Sequence, residues 1–112
     1  MRYSICLLLC VIFFGCSNIK TIETPSPAIH KVKQGESFCI PLPENHTTGY
    51  LWQLSPSYNQ ETVDYINSVW HGNDKGVYFN FSAKAKGNCQ LDFTLIKYHD
   101  TLEVKSFLID VR

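Results

Sequence analysis

The chain of 112 residues has no apolar stretch of the roughly 20 residues that a membrane-spanning helix needs. It has no dense basic patch and no acidic tail, and its formal net charge is zero, so nucleic acid is not an expected partner. The four histidines, His30, His46, His71 and His99, are scattered, and none stands at metal-ligand spacing from another ligand. No nucleophile motif and no phosphate-cradling loop occurs. An enzyme, a cofactor and a bound metal are therefore not expected. Helical patterning is also scarce. Past the amino terminus no window sustains apolar spacing of three and four, and Glu61 to Val69 offers at most a short helical turn.

The amino terminus differs in kind from the rest of the chain. Met1-Arg2-Tyr3-Ser4 carries one positive charge, Ile5 to Phe14 is apolar throughout, and Gly15 precedes Cys16. A basic start, an apolar run of about ten residues and a small residue before the cut describe an export signal. Phe13-Phe14-Gly15-Cys16 resembles a bacterial lipobox, with Phe13 where leucine is usual. Residues 1–15 are thus expected to be a lipoprotein-type signal peptide, with Cys16 as the lipidated first residue and the membrane held through its acyl chains. The expected location is the bacterial envelope. An ordinary signal cut near Gly15 would instead give a soluble secreted or periplasmic protein. Residues 16–29 read as a tether, because Thr24-Pro25-Ser26-Pro27 resists helix and favours extended chain. That leaves 30–112 as one small domain, expected to be a monomer.

Within that domain apolar residues alternate. Phe38, Ile40 and Leu42 alternate with Cys39 and Pro41, and Tyr50, Trp52 and Leu54 with Leu51 and Gln53. Val77, Phe79 and Phe81 form a third set, Leu91, Phe93 and Leu95 a fourth, and Phe107, Ile109 and Val111 a fifth. A period of two puts each set on one face of a strand. Turn signals separate the runs at Lys33 to Glu36, Asn45 to Gly49, Gly72 to Gly76 and Lys86 to Asn88. The fold class is all-β, a sandwich or barrel of short strands. Of five cysteines, Cys6 and Cys10 leave with the signal and Cys16 carries lipid. Cys39 and Cys89 remain as an even pair in an oxidising compartment. Strand parity puts Cys89 on the inward face and Cys39 opposite Phe38 and Ile40, which argues mildly against a bridge and leaves it open.

The stretch Gly35-Glu36-Ser37-Phe38-Cys39-Ile40-Pro41-Leu42, then Pro43-Glu44-Asn45-His46-Thr47-Thr48-Gly49-Tyr50 and Leu51-Trp52, resembles the chagasin family of papain-like cysteine protease inhibitors. The hallmark of that family is an Asn-Pro-Thr-Thr-Gly-Tyr loop followed by Trp two residues on, and here only the Pro is changed, to His46. A second, Gly-rich family loop corresponds to Gly72-Asn73-Asp74-Lys75-Gly76, which lacks the family's adjacent glycines and precedes Val77 to Ala83 and Gly87. The third landmark, Arg-Pro-Trp, falls on Lys97-Tyr98-His99, where the charge survives as Lys and the Pro and Trp do not. Lys105 to Val111 is similar to the family's final strand, so the resemblance runs from about Val32 to Val111.

The resemblance implies an immunoglobulin-like β-sandwich with three loops gathered at one end. It makes Asn45, His46, Thr47, Thr48, Gly49 and Tyr50 the central wedge, entering the protease cleft and covering the catalytic cysteine. Loops 72–76 and 97–101 would grip the cleft walls on either side. The residue types suit a stiff plug. Thr47 and Thr48 are β-branched, Gly49 permits positive φ, and Asn45 can bond its own backbone. The altered second and third loops imply weaker or differently selective inhibition, with Tyr98 replacing a lost aromatic contact. The rival reading is an envelope lipoprotein whose immunoglobulin-like domain serves adhesion or assembly, with exposed aromatics on a strand face or edge.

Overall fold

The computed structural model describes residues 19–112, so the expected export signal and lipidated Cys16 lie outside the described residues. Among the described residues eight strands follow one another: β1 (Lys20–Thr21), β2 (Ile29–Val32), β3 (Ser37–Leu42), β4 (Leu51–Leu54), β5 (Val63–Trp70), β6 (Val77–Ala83), β7 (Gly87–Lys97) and β8 (Asp100–Val111). They form two four-stranded sheets, ordered β1-β3-β6-β5 and β2-β8-β7-β4. Among the described residues there is no helix. This is the all-β sandwich that the alternating sets allow, in the immunoglobulin-like form that the family resemblance implies.

The alternation translates directly into burial. In β6 every second residue from Val77 to Ala83 is buried, and β7 buries Cys89, Leu91, Phe93 and Leu95. Phe38, Ile40 and Leu42 extend the buried layer of β6 from β3 beside it, and Phe107, Ile109 and Val111 extend that of β7 from β8. Phe93 sits at the centre, edge-on to Phe79 at 4.8 Å and to Phe107 at 5.7 Å between ring centroids. Edge-to-face rings at such separations add roughly 0.5–1.5 kcal/mol each beyond the area they bury.

Three expectations are corrected. Glu61 to Val69 is not a helical turn; from Val63 it is the edge strand β5, paired with β6 from Val63↔Ala83 to Trp70↔Val77. Its β-branched and aromatic residues favour a pleated surface. A bulge between Tyr65 and Asn67 and exposure along the edge blur the period-two pattern that would have betrayed it. Residues 20–29 are not a free tether. Lys20 and Thr21 pair in parallel with Phe38 and Cys39, Ile22 is buried in the core, and Ser26 N–H donates to Ser106 O at 2.7 Å. Ile22 supplies the apolar burial that binds this segment down, and the prolines carry it from one sheet to the other. Finally, 97–101 is no open loop: Lys97 pairs with Asp100 and Ile96 with Thr101. Only Tyr98 and His99 turn the hairpin, with Tyr98 at φ 57°.

The cysteine question resolves as strand parity suggests. Cys39 and Cys89 are free thiols in opposite sheets. Cys39 lies beside Thr21, while Cys89 faces the core near Asn59 O, and burial pushes its thiol above the ordinary value.

Candidate functional site

The turn from β3 to β4 is built around a buried acid. Glu44 is 7% exposed, and its Oε1 accepts the Trp52 N–H at 2.8 Å. The Trp52 indole donates to Pro43 O at 2.7 Å, so both arms of the turn are pinned at the base. Above it the loop is braced by its own side chains. Asn45 Oδ1 accepts from Thr47 N–H at 2.9 Å and from Thr47 Oγ1 at 2.6 Å. Thr48 Oγ1 donates to Asn45 O at 2.8 Å, and Gly49 N–H to His46 O at 3.3 Å. Gly49 has φ 83°, and a Cβ there would lie 3.1 Å from Lys97 Cε. Both facts call for glycine.

Two other segments meet this loop. Asn73, in the Gly72–Gly76 turn, accepts the His46 backbone N–H through Oδ1 at 2.9 Å. Lys97, at the end of β7, donates from Nζ to Thr48 O at 3.2 Å and stands 5.7 Å from the Tyr50 ring centroid. The three segments picked from sequence therefore gather at one end. Asp74, Lys75 and His99 make no hydrogen bond to the loop, and Tyr98 projects beyond it, 86% exposed. A cleft of about 330 Å³ opens among Glu44, Asn45, Thr48, Tyr50, Asn73 and Leu102.

His46 is held on three sides. Its Nε2 donates to Glu44 Oε2 at 2.7 Å, its ring stacks on Trp70 at 3.9 Å and 9°, and its backbone N–H reaches Asn73. A proline at this position would have no N–H to give. The one departure from the motif thus exchanges ring stiffness for a bond to the neighbouring loop. Among the described residues no group of side chains could hold a metal.

The sequence matches the family described as chagasin family peptidase inhibitor, I42, over residues 31–111. The chain belongs to the chagasin family. This family consists of peptidase inhibitors, not enzymes. Solved structures agree on the fold at low identity. A cysteine protease inhibitor of Entamoeba histolytica, EhICP2, superposes with TM-score 0.71 at 14% identity, covering 84% of this chain and 95% of that one. PbICP-C, in a complex with falcipain-2, gives 0.60 at 15%, covering 82% and 97%. Amebosin gives 0.58 at 15%, covering 84% and 98%. No curated protein matches the chain.

Two residues of this end escape a reading by motif. Glu44 sits directly before the hallmark loop, and an acid between a core strand and a turn was its only signal. Trp70 lies 24 positions from His46, and nothing local links them. Exposed aromatics occur both at the hairpin tip, Tyr98, and on the edge strand, Tyr65 and Trp70, so their position alone does not separate inhibition from adhesion. Family membership favours inhibition, and none of these likenesses supports adhesion or assembly.

Proposed function

We propose that this protein is a reversible, non-covalent inhibitor of papain-like cysteine proteases, with the Asn45–Tyr50 loop as the plug that fills the active-site cleft. The observation that carries this reading is how the loop's carbonyls are used. Those of Asn45, His46 and Thr48 already accept bonds from Thr48, Gly49 and Lys97. A peptide that is to be cut must be drawn out into an extended shape that brings its carbonyls to the thiolate. Those of the loop are held in place by its own frame, so the plug occupies the cleft without offering a bond to cut. Because the loop is already ordered, little entropy is lost on docking, which lets a small contact bind tightly.

Lys97 acts mainly inward, steadying Thr48, while Tyr98 and the Gly72–Gly76 turn flank the plug. The partner class has a parallel in PbICP-C, whose structure is a complex with falcipain-2. The motif before Ser17 supports a lipid on Cys16 and anchorage to a bacterial envelope membrane, and the inhibitor tethered there is taken as a monomer.

The test is a titration of the purified protein against papain and a cathepsin L-type enzyme. Stoichiometric, reversible inhibition is expected. Gly49→Val forces a side chain into the left-handed region and against Lys97, and should weaken inhibition about a hundredfold, given a strain of roughly 1–3 kcal/mol plus the contact. Absence of inhibition by the folded protein across several such enzymes would remove this reading in favour of adhesion or assembly.

A further inference from the structure

We infer that the protease-binding surface extends past the three loops onto Trp70, the last residue of edge strand β5, and that Trp70 is a specificity-determining contact for the same protease. This rests on the inhibitor reading above.

Trp70 is 44% exposed, a large apolar ring left partly in water at the plug end of the sandwich. It is not loose. One face lies flat on the His46 ring at 3.9 Å and 9°. Its Nε1–H donates to the Glu44 backbone carbonyl at 3.3 Å, and its own backbone pairs with Val77. A ring fixed by stacking, an indole bond and a strand ladder loses almost no freedom when a partner covers it. Trp is among the residue types most enriched where truncation costs a complex the most.

Continuity decides the occupant. His46 belongs to the plug and its ring covers one face of Trp70, so a protein wall seated across His46 reaches the part of the indole left exposed beside it. The neutral formal charge and the absence of a basic patch disfavour a nucleic-acid base as the stacking partner. The partner surface is an apolar or peptide-lined wall of the cleft that receives the plug. Because that wall lies beside the nucleophile rather than on it, its shape can differ between proteases, and Trp70 should sort them.

The experiment pairs inhibition with footprinting. Trp70→Ala should raise the inhibition constant by about tenfold to a hundredfold, and unequally across a panel of papain-like enzymes. Trp70→Phe, which keeps a stacking ring, should stay within a few-fold of the wild type. Hydroxyl-radical footprinting of the wild-type complex, read by mass spectrometry, separates contact from mere support of His46. Oxidation of Trp70 should fall several-fold on binding, while Tyr65 on the same strand stays as reactive as in the free protein. Equal Trp70 oxidation in free and bound protein overturns the inference, even if Trp70→Ala misfolds and cannot be assayed. So does a folded Trp70→Ala protein with wild-type inhibition. In both cases a wild-type protein that still inhibits leaves the proposed function standing. A wild-type protein that inhibits none of the panel removes both.

Discussion

The plug loop and the tip of the β7–β8 hairpin lie at the same end of the sandwich, yet they are built on opposite terms. The plug is short and cross-braced: Asn45 bonds Thr47, Thr48 bonds Asn45, and Asn73 and Lys97 reach in from outside. The hairpin tip is two residues on long strands of 11 and 12 residues, with Tyr98 almost wholly exposed at positive φ. In the proposed mode of inhibition the two would divide the labour. There the braced loop would fix where the inhibitor sits, and the bare aromatic on a ribbon would adapt to what stands beside it. Breaking the first should lower inhibition everywhere. Changing the second should alter which enzyme is preferred.

The largest effect should come from Glu44→Ala. It leaves the buried Trp52 N–H without an acceptor and releases His46, at a cost of about 1–3 kcal/mol. For a domain of this size that is a fall of roughly 10 °C in Tm, measurable by thermal denaturation, with inhibition lost across the panel. Glu44→Gln keeps an acceptor for Trp52 and should recover most of the stability. If Glu44→Ala left both Tm and inhibition unchanged, the plug would not depend on its buried base and the contrast would fail.

Asn73→Ala should act more narrowly. It removes one exposed bond, worth about 1 kcal/mol, so affinity should drop about fivefold with little change in Tm. Faster amide exchange at His46 would tie the loss to that bond. The smallest effect is expected from Tyr98→Gly. Glycine relieves the left-handed strain of about 1–2 kcal/mol, while its own backbone entropy offsets part of the gain. Tm should rise slightly, and the ranking of proteases should change more than the mean affinity. A uniform loss across the panel would show that the tip anchors as firmly as the plug.

Much of this was legible in the residues because burial on a sheet follows a period of two. Phe79 and Phe81, or Leu91 and Phe93, announce their face without reference to anything distant. The hallmark loop was equally legible, because its bracing is local: Asn45, Thr47 and Thr48 bond within three positions of one another. Edge strand β5 was not, since all but Val63 of its residues are exposed and a bulge between Tyr65 and Asn67 breaks the period. The strap from Lys20 to Ile29 was masked by its prolines, although Ile22 alone among them is an apolar residue buried to 1% exposure. The clamp on His46 was out of reach for another reason. Glu44, Trp70 and Asn73 converge there only after two sheets have set their register, and no spacing in the chain encodes that meeting.

The parallel pairing of β1 with β3 has a directional consequence. Lys20 lies level with Phe38, at the start of the strand that ends in the plug, so the chain enters the sandwich at its far end. On the other sheet, Asp110 and the hairpin's Asp100 are ten residues apart, which at 3.3 Å per residue is roughly 30 Å. A lipid on Cys16, four residues before Lys20, would root the molecule like a post set upright in the bilayer. Its inhibitory tip would then stand clear of the headgroups and face outward, toward whatever protease approaches the surface.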